Sequence, residues 1–322
     1  MLKDIIRRML WRAYQRLSPK PTEPIALPDT NPILRKQEEI QPKPSGPAGL
    51  PDIVPALRGQ EEIRSFIRSL DMPGDDARRY LEIHLERIAI TLGLTPPPQK
   101  TGKVLELGAY MHMTPALQCV LGYSEVRGAY FGPLGKSDLK KSTVAGRPVF
   151  ECCVDSFDAE KDCYPYEDSA FDCVLACEIF EHFLHDPMHM LAEVNRVLDV
   201  GGHLVLTTPN VASATAVARI LEMSGNPQLY AKYADPRGAD AESEVGHMRE
   251  YTPDELKQSL HAAGFEVEQL FTTVAPEYNS HAWVLRLLSD LQYPIHLRGE
   301  QMYCLARKVS AVRERYPGFL YE

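Results

Sequence analysis

Glu178, Glu181 and His182 stand at i, i+3 and i+4, a spacing that places two carboxylates and an imidazole on one face of a helix. Such a group can take a proton from a hydroxyl. It can also hold Mg or Mn, because oxygen ligands with one imidazole suit those ions better than a thiolate-type zinc site. The same residues serve equally well where the carboxylate caps a helix and the histidine packs beside a pocket. Earlier in the chain, Val104-Leu105-Glu106-Leu107-Gly108-Ala109-Tyr110 reads as a strand running into glycine. Backbone can pass close to a ligand there, and the acid can hold the loop or a ligand amine; an ordinary turn looks the same. Arg249 and Tyr251 lie just before a helix that begins near Pro253. A guanidinium at that point can clamp a carboxylate or phosphate, or pair with Glu250 or Asp254 on the surface.

The elements that must position these residues have a clear rhythm. Strands are expected at Val104–Leu107, Glu125–Tyr130, Val149–Val154, Cys173–Ala176, His203–Thr208, Val267–Thr273 and Met302–Arg307, with helices near 114–121, 186–199 and 253–263. Strands separated by helices imply an α/β fold, a mainly parallel sheet wrapped on both faces. Ligands in such sheets bind beyond the carboxyl ends of the strands, where Gly108 and Glu178 fall. Two further helical stretches precede the first strand, near 59–70 and 74–93. In the second, Tyr80, Leu81, His84, Leu85, Ile88 and Ile90 suggest a buried stripe.

Taken in order, ELGAY, FDCVLACEIFEH, NRVLDVGGHLVLTTPN and HMREYTPDELKQSLHAAGFEVEQL resemble the class I S-adenosylmethionine-dependent methyltransferases over roughly residues 100–310. The nearest likeness is to bacterial enzymes associated with glycan or cell-surface polysaccharide pathways, which share the Tyr130-Phe131-Gly132 that follows the second strand. The resemblance implies a Rossmann-like seven-stranded sheet and S-adenosyl-L-methionine as cofactor. Glu106, Gly108 and Ala109 match the first motif, which wraps the methionine part. Asp158, Ala159 and Glu160 match the stretch that meets the adenine, with Asp155 a substitute, and Cys177 and Glu178 would line the methyl-donor site. Two departures stand out: Tyr110 occupies the place of the second motif glycine, and Ala129-Tyr130 replaces the acid that often binds the ribose. Either the cofactor pocket is rearranged, or the fold has become a non-catalytic scaffold. ExxEH with a later histidine also resembles metal-assisted O-methyltransferases, which implies a quinone-like or other small acceptor as the alternative. On that likeness His247 is the fourth ligand beside Glu178, Glu181 and His182. Without metal, His182 or His247 would assist proton removal, with Glu178 beside them, and Asn210, Arg249 and Tyr251 would meet the acceptor.

Composition narrows the partners. The chain has 322 residues, 44% hydrophobic and 25% charged, the balance of a globular protein with a sizeable core. Its net charge of −9 argues against a general nucleic-acid binder, so the expected partner is a small-molecule or glycan acceptor. Seven cysteines without a CxxC pair read as reduced thiols of a cytoplasmic protein. No run reaches the roughly 18–20 apolar residues of a spanning helix, and Asp4, Arg7, Arg8, Arg12 and Arg16 interrupt any secretory h-region. No GxGxxG follows the first strand, which excludes a nicotinamide dehydrogenase. The domain organisation is a basic amphipathic helix over 1–17, suited to a membrane surface, a protein partner or its own domain, then a Pro-rich linker over 18–58. A helical extension over 59–98 follows. The methyltransferase domain covers 99–310, with insertions at 211–246 and 276–300 carrying lid aromatics Tyr230, Tyr233, Tyr278 and Trp283, and 311–322 forms a tail.

Overall fold

The computed structural model describes residues 55, 57–231, 246–275, 278 and 281–321. The helix expected over 1–17 and nearly all of the stretch over 18–58 lie outside these residues, as does Tyr233. Two helices come first, α1 (Gln60–Ser69) and α2 (Asp75–Leu94). They are followed by β1 (Lys103–Leu107), α3 (Thr114–Cys119), β2 (Glu125–Tyr130), β3 (Lys136–Val144), β4 (Arg147–Ser156) and β5 (Phe171–Cys177). A single 3-10 turn at Phe180–His182 leads to α4 (Pro187–Val197), β6 (Leu198–Pro209) and α5 (Ala214–Leu221). The remaining elements are α6 (Pro253–Ala262), β7 (Phe265–Thr273), α7 (Ala282–Asp290), β8 (Gln301–Lys308) and α8 (Gly318–Tyr321).

The strands form one sheet in the order β3-β4-β2-β1-β5-β6-β8-β7. The five strands β4, β2, β1, β5 and β6 run parallel, and β8 is inserted antiparallel between β6 and β7. Residues along the central strands alternate between two cores, as the pleat requires. Leu105 and Leu107 of β1, Val174 and Ala176 of β5, and Leu204 and Leu206 of β6 pack with Leu191 and Val194 of α4 and Leu256 and Leu260 of α6. On the other face, Val104, Cys173, Leu175 and Val205 pack with Ile63 and Ile67 of α1 and Leu81, Leu85, Ile88 and Leu92 of α2. The helices start where their caps dictate. Asp186 accepts the His189 N–H ahead of α4, and Thr252 and Glu255 form a capping box on α6.

All seven expected strands are present, and β3 makes an eighth. It pairs antiparallel with β4 through a turn at Ala145 and Gly146, both at positive φ. Six of its nine residues are exposed, so no apolar alternation marks it, and lysines 136, 140 and 141 protect the free sheet edge. The buried stripe of α2 also differs from expectation: Leu81, Leu85, Ile88 and Leu92 form it, whereas Tyr80 is 44% exposed. Tyr80, His84 and Arg87 recur on the other side of the helix, which faces the cavities described below. The insertions contain helices the periodicity did not show, α5 and α7, which pack on each other through Ala214, Ala218, Val284 and Leu285. In the tail, Arg315 and Tyr321 hold Asp186 at the start of α4.

Asp172, on β5, ties the approach to β1 onto the centre of the sheet. Its buried carboxylate accepts the backbone N–H groups of Gln99, Thr101 and Gly102 at 2.8, 2.8 and 2.7 Å. Asp172→Ala would strand those donors and lower the unfolding free energy by about 3 kcal/mol. Denaturant titration checks this, and a loss under about 1 kcal/mol would mean that water reaches those groups instead.

Candidate functional site

Two adjoining cavities open beyond the carboxyl ends of the parallel strands. The first, of about 460 Å³, is bordered by Glu106 to Gly108 after β1, Ala129 to Phe131 after β2, Phe157 to Lys161 after β4, and Cys177 to Ile179 after β5. The second, of about 840 Å³, is bordered by Tyr80, His84 and Arg87 of α2, by Tyr230 and His247, and by Thr273, Gln301 and Tyr303 of β7 and β8. Tyr80, Arg87, Tyr110, His112, Glu178 and His182 belong to both.

In the first cavity the loop after β1 turns without its second glycine. Gly108 has φ 70°, and a Cβ there would meet Ile179 at 3.1 Å. Met111, at φ 65°, completes the turn that a further glycine would otherwise make. The Ala109 N–H bonds the Ala129 carbonyl at 2.9 Å, and only a glycine at 128 lets Ala109 approach, since a Cβ there would lie 2.8 Å away. Ala109 therefore shapes the loop but does not line the cavity, whereas Glu106, Gly108, Tyr110, Tyr130, Asp158, Ala159 and Cys177 do. Asp155 is held by Tyr166 at 2.9 Å and stands off the lining. The hydroxyls of Tyr110 and Tyr130 meet at 3.0 Å on the rim where a ribose-binding acid was absent from the sequence.

Glu106 is 2% exposed, and its Oε2 has no hydrogen-bond partner. Burial pushes its carboxyl up to about 7. A cationic amine in the cavity would supply the missing partner. The Cys177 thiol is also raised by burial, so it is a neutral wall and not a nucleophile.

At the junction the structure corrects the expected helix face. Glu178 has φ 56°, a left-handed corner that ends β5, and only the 3-10 turn Phe180–His182 follows. Glu178 is thereby separated from Glu181 and His182. Its Oε1 accepts from Thr207 Oγ1 and Gln301 Nε2, each at 2.7 Å, and its Oε2 pairs with Arg87 Nη1 at 2.6 Å. A carboxylate so occupied is a poor base, and among the described residues the metal-competent cluster comprises Glu181, His182 and His247, with ligand atoms within 4.8 Å of one another, without Glu178.

Glu181 is fully buried, takes the Thr208 hydroxyl on Oε2 at 2.8 Å, and has no hydrogen bond on Oε1. Burial, joined by the charge of Glu178, holds its pKa well above the usual carboxylate range. His247 lies between two acids, its Nε2 3.9 Å from Glu181 Oε1 and its Nδ1 3.5 Å from Glu250 Oε1. Glu250 is fixed by the N–H groups of Leu229 and Tyr230 at 3.0 and 2.7 Å. The His182 and His247 rings meet edge to face at 4.7 Å, and His182 Nδ1 lies 3.3 Å from the Gly246 carbonyl.

The residues expected to meet an acceptor have structural duties instead. Arg249 pairs with Glu255 at 2.6 Å. Tyr251 is buried against Phe180 at 4.5 Å, and Asn210 donates to the Leu297 and Gly299 carbonyls. None of the three borders either cavity. Of the aromatics expected to form a lid, Tyr230 lines the second cavity and packs on Tyr278 at 6.0 Å, whereas Trp283 is 43% exposed.

A family model described as a methyltransferase domain matches residues 77–270. The chain belongs to that family. It is a class I S-adenosylmethionine-dependent methyltransferase, and the extra β3 stands outside the seven-stranded arrangement of that fold. Among solved structures, it is similar to an S-adenosylmethionine-dependent methyltransferase from Mesorhizobium loti, at 16% identity and TM-score 0.42 over 70% of this chain and 97% of that one. A similar enzyme from Archaeoglobus fulgidus matches at 16% identity and TM-score 0.42 over 77% and 97%. A chain of the complex between the Haloferax volcanii Trm112 methyltransferase activator and a methyltransferase matches at 14% and 0.46 over 78% and 98%. No curated protein matches. Among the described residues, no helix is long and apolar enough to cross a membrane.

The cavity fits a cofactor that carries an amino group: Glu106 Oε2 is the buried acceptor such a group requires. The sequence reading missed the α2 wall, whose signal was the polar face Tyr80, His84 and Arg87 beside the leucine stripe.

The raised Glu106 carboxyl gives a signed pH dependence. Its contribution to stability is fully present below its ordinary value of 4.5 and is lost as pH rises through about 7. An ammonium beside it favours the carboxylate, so S-adenosylmethionine should release a proton on binding below about pH 7. Affinity then increases from pH 5.5 to about 7 and levels off above it, and Glu106→Gln flattens the profile. Calorimetry in buffers of different ionisation enthalpy reads the released proton; an equal heat in all buffers at pH 6 would contradict the assignment.

Proposed function

We propose that the protein methylates a hydroxyl on a sugar or glycan precursor, with the cofactor in the first cavity, the acceptor in the second and His182 as the base. When bound, S-adenosylmethionine supplies an already activated methyl group, and the protein's task is to orient the acceptor oxygen and take its proton. In this reading Glu106 receives the amino group, Tyr110 and Tyr130 replace the ribose-binding acid, and Asp158, Ala159 and Phe157 border the adenine.

The observation that carries the reading is that His182 borders both cavities with its ring against His247, whereas His112, the other imidazole that borders both, packs on the Tyr80 ring at 5.1 Å. If its Nδ1–H donates to the Gly246 carbonyl, Nε2 is the basic nitrogen. Glu178 is already saturated by Arg87, Thr207 and Gln301, which leaves proton removal to an imidazole. His247, backed by Glu250, is placed to steady the His182 ring. The lining of the second cavity favours a neutral, hydroxyl-bearing acceptor. Tyr80, Tyr110 and Tyr230 offer aromatic faces and hydroxyls, the carboxylates of Asp76 and Glu86 disfavour an anionic acceptor, and Arg87, the one guanidinium there among the described residues, is already paired with Glu178. The volume suits a sugar-sized ligand.

A second reading has its own observation. Glu181 Oε1 is buried without a hydrogen bond, 3.9 Å from His247 Nε2, in the three-residue cluster that could hold Mg or Mn. A metal held there would lower the pKa of the acceptor hydroxyl itself.

Incubation with isotopically labelled cofactor and a panel of glycan precursors should transfer label to a hydroxyl. His182→Ala should lower turnover by about 10²–10⁴-fold while leaving cofactor affinity within a few-fold of the parent. An equal loss of both would remove His182 from the base position. Turnover that survives EDTA favours the imidazole over the metal, and turnover abolished by EDTA and restored by Mn favours the metal.

A further inference from the structure

Arg87 reaches the junction from α2, outside the sheet and its crossovers. Its Nη1 pairs with Glu178 Oε2 at 2.6 Å, and its Nη2 lies 3.2 Å from the Tyr80 hydroxyl. The two side chains are only 17% and 22% exposed. Burial works against the guanidinium charge, but the attraction of Glu178, aided by Tyr80 and Tyr303, more than offsets it. Of the six described residues common to both cavities, Arg87 and Glu178 supply the one guanidinium and the one carboxylate. The nearby buried acids Glu106 and Glu181 are both displaced toward their neutral forms by burial.

We propose that Arg87 is a positioning residue that cancels the charge of Glu178 at the meeting point of the cavities, so that the site holds the cofactor without drawing on the positive charge of its sulfonium. The inference rests on the reading that puts the cofactor in the first cavity and the acceptor in the second. Methyl transfer breaks the S–C bond and forms an O–C bond; the sulfur keeps the bonding pair and becomes a neutral thioether, and the acceptor proton passes to the base. Positive charge at sulfur is therefore lost along the reaction. A bare carboxylate beside it would stabilise the ground state more than the transition state and slow the step. Arg87 removes that attraction, and Thr207 and Gln301 hold Glu178 so that the pair keeps its place.

The test is the ratio of affinities for S-adenosylmethionine and S-adenosylhomocysteine, which differ at sulfur by one methyl group and one charge. Both are titrated calorimetrically into the full chain, with no acceptor required. Arg87→Met should raise the preference for the sulfonium by about tenfold, and Glu178→Gln should lower it by a similar factor. The double variant should return to within about threefold of the parent, and Arg87→Lys should stay near it. Breaking a buried pair is strongly destabilising; where Arg87→Met misfolds, Glu178→Gln and the double variant, which leaves no bare carboxylate, decide. A ratio that is the same in Glu178→Gln, the double variant and the parent overturns the inference while leaving the cofactor site intact. A parent chain that binds neither compound overturns the cavity assignment and the inference together.

Discussion

Parallel strands are buried on both faces, and that requirement governs the rest of this structure. One face is covered by helices that return between strands, α4 and α6, as crossover connections dictate. The other is covered largely by α1 and α2, which precede the first strand. The covering helix has two sides. Its leucine stripe completes the core, and its polar side becomes a wall of both cavities. Packing thus delivers Arg87 to Glu178, and the helix that covers the sheet also borders the cavities.

The corner after β5 is where the chain concentrates cost. Glu178 adopts a left-handed conformation that non-glycine residues rarely take, and Glu181 is buried three residues later. Such features persist only where neighbours over-determine them. Here the Glu178 N–H bonds the Thr207 carbonyl, its carboxylate has three donors, and the Glu181 carbonyl accepts from Met248 and Arg249. That last contact brings His247 beside His182. The imidazole pair is the product of a backbone clamp between β5's exit and the segment ahead of α6.

The cofactor rim shows how a motif can lose its usual residues and keep its shape. Met111 takes the positive φ that a glycine would have supplied, and Gly128 on β2 makes the room that Ala109 needs. Tyr110 and Tyr130, linked through their hydroxyls, put neutral groups where an acid is customary. A scaffold with a degenerate loop would have no reason to preserve an open cavity with a buried acceptor at its base.

The central strands were legible because a strand buried on both faces writes an apolar run into the chain, as Phe171–Cys177 does; the edge strand β7 still carries Phe265, Val267, Leu270 and Phe271, whereas β3, with six of its nine residues exposed, carries no such signal. The glycine after β1 and the carboxylates after β5 were legible as chemistry, since ligand sites lie beyond strand ends. Their roles were not. ExxEH spacing promised one helical face, but the left-handed corner at Glu178 divides it, and backbone conformation of that kind is set by neighbours. Arg249, Tyr251 and Asn210 have the residue types of ligand contacts, yet burial and nearby carbonyls and carboxylates claim them. Sequence alone determined the periodic elements and the family, because both reside in local pattern. Tertiary structure decided which charges are spent on each other, because Arg87, Glu178 and Gln301 become neighbours only once three distant segments pack against one sheet.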